Sequence, residues 1–426
     1  MSAATAPHGK PAVPFPVQAL RAQFPALLHA DGFSFMDNAA GAQVPQGVLD
    51  AVNRHLIEHN VQRGGRYPQS VAVDDMIGRA REQVGRFVNA RRPEEIAFGM
   101  NATSFIRLIS LAIGQGLGQR NEIVVTELDH EADIATWLAL QRAGATFRWW
   151  RMRDDGCLHT EDLQRLLGAR TRLVACTLAS NALGSLLAAR ATADLVHAAG
   201  GELFLDAVHY APHGPIDVQE FDCDYLVCSG YKIFAPHMGF LWGRYEALAK
   251  LPTFREDFIP DEPPAKIEAG TFVYENVAGM AAAIEYLARL GRSLSGRSGE
   301  PSGHVRREDI CAAMEGVRTY ERSLSIELLR LLRDCGAEIY GLREESRIAE
   351  RVPTVLFNLP GIAPAAVTEA AARANIAIRD GHMYSPRLMK RLGLSIDTGA
   401  VRVSLVHYNT SNELQRLAEL LGQLRK

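Results

Sequence analysis

Metal-ligand and disulfide patterns are missing from this chain. Its six cysteines (157, 176, 223, 228, 311 and 335) include no CxxC pair and no zinc spacing. Several sit inside apolar runs, where a free cysteine behaves as a small hydrophobe, and this usage reads as a reducing cytoplasm. No apolar run is long enough to cross a bilayer. The N-terminus, rich in Ala and Pro, lacks the uninterrupted apolar core of a signal peptide. Charge of one sign is also missing: the formal net charge is -3. Neither nucleic acid nor an anionic membrane is therefore expected as a partner. The one basic cluster, Arg292 to Arg307, lies in a Gly/Ser-rich stretch and reads as a solvated loop. What remains is ordinary globular composition, 47% hydrophobic and 22% charged over 426 residues, enough for two or three domains and a large core.

Two polar residues stand where apolar strands end. The run Gly201-Glu202-Leu203-Phe204-Leu205 closes on Asp206, and Asp224-Tyr225-Leu226-Val227-Cys228 leads to Ser229-Gly230-Tyr231-Lys232. A carboxylate at a buried strand end is costly unless a cation or several donors meet it. A lysine there loses hydration, which lowers its pKa and favours the neutral amine that a Schiff base requires. Each residue alone also fits a capping or surface role. Together, at consecutive strand ends of an open parallel sheet, they would face one crevice. A protonated pyridine nitrogen is the cation Asp206 needs, so pyridoxal phosphate is the expected cofactor.

The rest of the chain supports such a crevice. Phe33 to Asp37 reads as a strand ended by Asn38-Ala39-Ala40-Gly41, small residues that let backbone approach a ligand. Arg63-Gly64-Gly65-Arg66 suits an anionic ligand, a subunit contact or a plain exposed loop. Ile96 to Gly99, a turn through Asn101-Ala102-Thr103 and the helix from Phe105 form a strand–turn–helix unit. Its helix start attracts phosphate, with the Thr103 hydroxyl as a donor or merely a cap. His130 follows the strand Glu122 to Thr126 and is placed to stack on a cofactor ring, or to be structural. Asn181, after the strand Arg172 to Leu178, suits a ring hydroxyl. Strands alternating with helices from 33 to 243 imply a mostly parallel sheet covered on both faces.

Beyond Trp242 the pattern turns to a smaller α+β domain, with strands near 338–340, 352–358, 376–379 and 401–405. Arg402, alone in an apolar strand, needs a buried anion: a substrate carboxylate, or an internal salt bridge. His209 and His213 are four apart, but Pro212 breaks any helix between them and no third ligand is near, so no metal is expected. Gly381 to Pro386, with His382 and Tyr384, reads as a mobile loop close to the substrate.

These residues resemble a known family. From Phe35-Met36-Asp37-Asn38-Ala39-Ala40 to Val401-Arg402-Val403-Ser404, the chain is similar to fold-type I, class V aminotransferases, in their cysteine desulfurase-like branch. Its most specific parts are Asp206-Ala207-Val208-His209 and Ser229-Gly230-Tyr231-Lys232. The resemblance implies the PLP-dependent transferase fold: an α/β large domain with a mostly parallel seven-stranded sheet and a smaller α+β C-terminal domain. Expected boundaries are an N-terminal arm (1–30) packing on the small domain, a large domain (31–280) and a small domain (281–426) with a flexible insertion at 292–308. It also implies Lys232 as the Schiff-base lysine, Asp206 at the pyridine nitrogen and His209 and Asn181 by the phenolic oxygen. His130 would stack on the ring. Ala102, Thr103, Ser229 and Tyr231 would hold the phosphate, with Thr271 supplied by the second subunit of a homodimer. Arg402 would bind the substrate carboxylate, with Asn38, Ala39, Arg63, His382 and Tyr384 about the substrate.

Two departures stand out. Desulfurases carry a nucleophilic cysteine after the strand ending at Arg379, and Tyr384 occupies that position here. Tyr231 stands where they usually have histidine, and it can still donate to phosphate. Without a thiolate there is no persulfide acceptor by the usual route. The expected chemistry is an external aldimine, removal of the α-proton by Lys232 and elimination of a sulfur leaving group. That outcome is C–S bond cleavage (a β-lyase), with Tyr384 or His382 protonating the sulfur. Transamination and epimerisation share every residue up to that point, and desulfuration ranks behind them.

Overall fold

The computed structural model describes residues 15–29, 32–297 and 305–425, and among these thirteen strands form three sheets. The first, β1 (Ser34–Phe35), is short. Then come β2 (Ile96–Gly99), β3 (Glu122–Thr126), β4 (Thr146–Trp150) and β5 (Thr171–Thr177). β6 (Glu202–Asp206), β7 (Tyr225–Ser229) and β8 (Gly239–Gly243) complete the main sheet, whose order is β2-β8-β7-β6-β5-β3-β4. Six of the seven run in one direction, and only β8, which returns between β7 and β2, is antiparallel to its neighbours. β3, β7 and β8 are buried along their whole length, the continuous apolar runs of strands covered on both faces.

β4 has no counterpart in the sequence reading. Its residues Thr-Phe-Arg-Trp-Trp alternate exposed and half-buried positions, because it is an edge strand with one face toward water.

The C-terminal part builds an antiparallel sheet. β9 (Glu338–Tyr340), β10 (Thr354–Asn358), β12 (Arg379–Gly381) and β13 (Ala400–Ser404) lie in the order β12-β13-β10-β9. Its core joins Val355, Phe357 and Val403 to Leu324 and Leu328 of the helix Arg307–Asp334 and Leu414 of the helix Ser411–Leu424. β11 (Ile376–Ala377) pairs in parallel with β1, and Asp37 bridges to Ser404. The first strand thus lies with the C-terminal sheet, not in the main sheet where its sequence position suggested.

In the segment 292–308, expected as a solvated insertion, most of the described residues are exposed. The helix Tyr274–Leu294 covers its first residues, and Arg292 and Arg297 reach Asp309 at 3.9 and 2.7 Å. Arg307 donates to the carbonyls of Phe87 and Ile216, each at 2.6 Å, so it ties three elements together. Only 298–304 lie outside the described residues. In the N-terminal arm, Arg21 donates to the Tyr408 carbonyl at 2.7 Å and pairs with Glu413 at 3.2 Å. Phe24 packs among Phe234, Tyr286 and Tyr408. Residues 1–14 of that expected arm lie outside the described residues. No helix among the described residues is long and apolar enough to cross a membrane.

Candidate active site

β6 and β7 are adjacent and parallel, so their carboxyl ends open on the same side of the sheet. Asp206 is the last residue of β6, and Lys232 ends the single 3-10 turn Gly230–Lys232 that follows β7. That turn is possible because residue 230 has no side chain: a Cβ there would lie 2.7 Å from the Pro236 carbonyl oxygen. Lys232 is buried, and loss of hydration together with the Arg402 charge lowers its pKa to about 8, against the pull of Asp206. Burial raises the Asp206 pKa, while the Val208 N–H at 2.8 Å and the nearby Lys232 oppose the rise.

Around this pair is a narrow pocket that also exposes His130, Asn181, His209, Ser229 and Tyr231. His209 bonds through Nε2 to the Thr354 hydroxyl at 2.9 Å, and its buried Nδ1 has no partner. Burial lowers its pKa well below the ordinary range, so the ring is neutral. His130 accepts the Ala132 N–H at Nδ1 (3.1 Å), and burial with the Lys232 and Arg402 charges lowers its pKa to about 4. It too is a neutral ring.

The helix Ala102–Gln115 starts at the pocket and is capped reciprocally by Asn101 and Ser104. The Ala102 N–H points to the Ser229 hydroxyl at 3.4 Å, and Thr103 lines the same wall. A Cβ on Gly239 would lie 2.6 Å from the Asn101 backbone, so only glycine lets β8 approach this helix start. Free helix N–H groups, a hydroxyl and the helix dipole converge there on a place for an anion.

The pocket adjoins a wider cavity of about 1050 Å³ that Ala39, Arg107, Arg379, Tyr384 and Arg402 help to line. Arg402 meets Asp37 at 3.0 Å and donates to the Asn181 carbonyl at 2.9 Å, leaving its buried Nε unpartnered. Arg379 takes the other Asp37 oxygen at 2.9 Å. The buried anion that Arg402 requires is therefore Asp37, the internal pair. Two guanidinium groups share one carboxylate, which leaves one positive charge for a ligand. The expected strand Phe33 to Asp37, a mostly apolar run ending on an aspartate, was the sequence signal for this partner. Arg379 and Thr177, which lines the narrow pocket, gave no comparable signal.

Nine of the expected cofactor residues meet in the narrow pocket: Lys232, Asp206, His209, His130, Asn181, Ala102, Thr103, Ser229 and Tyr231. Other expected residues lie outside that pocket. Asn38 donates to the Ser404 carbonyl at 2.8 Å and to Asn409 Oδ1 at 3.1 Å, and its oxygen accepts the Tyr408 hydroxyl. Its side chain is thus a structural brace outside both cavities, while the neighbouring Ala39 lines the wide one. His382 faces its own turn, accepting the Tyr384 N–H at Nδ1 (3.1 Å). Arg63 and Thr271 are together elsewhere. Gln62 donates to the Thr271 hydroxyl at 2.7 Å, and the Arg63 guanidinium lies over the Phe272 ring.

The turn expected to be mobile is pinned. Met383 and Tyr384 have φ of 51° and 56°, left-handed values that cost a residue with a side chain about 1–3 kcal/mol each. Asn181 donates to the Met383 carbonyl at 2.7 Å and accepts the Ser385 hydroxyl at 3.2 Å; the Glu131 N–H donates to the Tyr384 carbonyl at 2.8 Å. So held, the Tyr384 ring stays 55% exposed in the cavity, 5.6 Å from the His130 ring. Among the described residues no cysteine lines either cavity. His213, the other member of the histidine pair, is buried against Glu321 at 2.8 Å.

Comparison with known proteins gives a consistent outcome. The family profile described as Aminotransferase class-V matches residues 34–300 and 310–417. The chain is 33% identical over 441 aligned residues to a protein named Cysteine desulfurase from Synechococcus elongatus, covering 99% of this chain and 66% of that relative. It is 35% identical over 415 residues to the Aminotransferase-like protein FGM3 of Gibberella zeae, covering 95% of this chain and 97% of the other. A solved apo structure of a cysteine desulfurase from Thermococcus onnurineus superposes with a TM-score of 0.84 at 24% identity, over 97% of this chain and 98% of that one.

Proposed function

The chain belongs to the aminotransferase class-V family, and from that premise we propose that it is a pyridoxal phosphate-dependent C–S lyase acting on a cysteine-derived amino acid. The observation that carries the reading is the Asp206–Lys232 crevice next to a cavity that presents Tyr384 and no cysteine. The residues fit the cofactor. The His209 Nδ1 is an orphaned buried atom in the pocket wall, the helix start at Ala102 offers an anion cradle, and a buried carboxyl awaits a cation. When bound, pyridoxal phosphate supplies an aldehyde that condenses with amines and a ring that withdraws electrons from the substrate α-carbon.

Each residue then has a task. Lys232, with its depressed pKa, would anchor the cofactor and would take the substrate α-proton at Nζ as a general base. Asp206 would meet the ring nitrogen, His130 would pack on the ring face, and Asn181 and His209 would stand by the ring oxygen. Ala102, Thr103, Ser229 and Tyr231 would hold the phosphate. Arg402 orients the substrate carboxylate with the positive charge left over from Asp37. Tyr384 donates a proton to the departing sulfur. The pair left at the α-carbon forms the Cα–Cβ double bond as the β C–S bond breaks, sulfur leaves with its electron pair and the Tyr384 proton, and water hydrolyses the released enamine through its imine tautomer to pyruvate and ammonia.

The working form we propose is a cytoplasmic homodimer. Thr271 and Arg63 are absent from both cavities of their own chain, so they serve a site only from a second copy. The domain division we propose follows the two larger sheets, with 281–426 as the small domain.

Product analysis with S-substituted cysteines tests the reaction. Pyruvate and thiol in equal amounts, lost in Lys232→Ala, support the lyase. Amino transfer to a keto acid without thiol release would instead favour an aminotransferase, the activity suggested by the name of the Gibberella relative.

A further inference from the structure

Behind Thr177, in the wall of the narrow pocket, two more carboxyl groups are buried, Asp129 and Asp133. Asp129 precedes His130 in the turn between β3 and the helix Ala132–Leu138. One of its oxygens accepts the Thr126 hydroxyl and the other the Thr177 N–H, each at 2.6 Å. Thr177 ends β5 and pairs in register with Asp206, and its hydroxyl reaches the Asp206 carbonyl at 3.2 Å. One carboxyl group thus ties the turn that carries His130 to the strand ends beside Asp206. Asp133 lies on the helix that follows. One of its oxygens accepts the Trp137 indole N–H at 2.9 Å, and the other is buried without a partner. All these contacts are internal to one chain, so a second copy leaves them as they are.

The two carboxyl groups differ in what they can carry. Two close donors favour an ionised group, whereas one donor and an orphaned oxygen favour a protonated one. Burial raises the Asp129 pKa to about 7, against its two donors and with the Asp206 charge adding to the rise. Burial raises Asp133 well above the ordinary carboxylate range, and the Asp129 and Asp206 charges push it further. The thiol of Cys176, the other titratable neighbour, is buried and neutral. A cation held at Asp206 would offset one of the charges that oppose ionisation of Asp129.

We propose that Asp129 is a positioning residue that acts on the cofactor ring nitrogen through Thr177 and Asp206, a second negative charge behind the first, and that its neighbour Asp133 holds a proton. The inference rests on the reading above for the cofactor alone, not for the reaction that follows.

Two measurements test it. The infrared spectrum of the apoprotein at neutral pH, parent minus Asp133→Asn, should contain the carbonyl stretch of one protonated carboxylic acid. A difference showing only a carboxylate would overturn the proposal. Nitrogen NMR of the protein loaded with isotope-labelled pyridoxal phosphate, followed through a pH titration, reads the proton affinity of the ring nitrogen. Asp129→Asn is expected to lower that affinity about tenfold. Asp133→Asn should leave it unchanged, because an amide replaces a group that is already neutral. A merely structural Asp129 would not move it, so an unshifted Asp129→Asn, or an equal loss in Asp133→Asn, would overturn the proposal. Should Asp129→Asn not fold, Thr126→Val removes one donor to Asp129 and is expected to lower the affinity in the same direction; no change there would overturn it as well. A parent protein that takes up no cofactor would remove the reading above together with this proposal, whereas uptake with unshifted variants removes this proposal alone.

Discussion

Asp37 and Arg402 form a buried ion pair at 3.0 Å that joins the segment just after β1 to the middle of β13. The Arg402 side chain is 2% exposed, and the second Asp37 oxygen is taken by Arg379. Removing one partner of a buried pair leaves the other charge desolvated. Asp37→Asn is therefore expected to lower unfolding free energy by about 3 kcal/mol or more. Urea denaturation of the variant against the parent measures it, and an unchanged midpoint would show that the pair is dispensable.

The Lys232 amine titrates near 8 instead of the ordinary 10.5, chiefly through burial and secondly through the Arg402 charge. Between those two pH values the unfolded chain binds a proton that the folded apoprotein does not. Stability contributed by this group therefore rises with pH across that window, and below it the group is a burden on folding. Lys232→Met should flatten that slope. Reductive methylation followed by peptide mass spectrometry should give a half-point near pH 8 at Lys232, and Arg402→Gln should move it upward.

Gly239→Ala pushes a methyl group to within 2.6 Å of the Asn101 backbone at the start of the helix that begins with Ala102. Overpacking of this kind costs about 1–3 kcal/mol. The expected result is a lower melting temperature together with weaker retention of the phosphate-bearing cofactor, measured by dialysis. A variant with normal retention would place the anion elsewhere.

The thiols are badly placed for sulfur transfer. Cys176, Cys223 and Cys228 are buried with their pKa values pushed far up by burial, and Cys157 is raised to about 11. The parent enzyme incubated with cysteine should show no protein-bound persulfide by intact mass. Tyr384→Cys puts a thiol on the pinned turn inside the cavity and should acquire one. A persulfide on the parent chain would put desulfurase chemistry ahead of the lyase reading.

Much of the main sheet was legible because buried parallel strands are written as unbroken apolar runs, and Asp206 and Lys232 interrupt two of them at their ends. The narrow pocket followed partly from the same logic: Asp206, Lys232, Thr103, His130 and Asn181 were read from strand ends and helix starts, and the family resemblance added His209, Ala102, Ser229 and Tyr231, which converge there with them. Tertiary pairing was less visible. The two-residue β1 carries no signal for choosing β11 as its neighbour, and β4 alternates too weakly to stand out from a loop. Asn38 illustrates the limit at the site. Its small-residue context suggested ligand contact, but its bonds go to Ser404, Asn409 and Tyr408, which are distant in sequence. The stiffness of the Tyr384 turn depends likewise on Asn181 and Glu131, two side or main chains about two hundred residues or more away.

The most direct test of the central claim is to add pyridoxal phosphate to the apoprotein, record the visible spectrum, reduce with borohydride and map the modified residue. The account predicts a visible absorption band and a stable pyridoxyl group on Lys232, both absent in Lys232→Ala. A protein that stays colourless, or an adduct on another lysine, would contradict it.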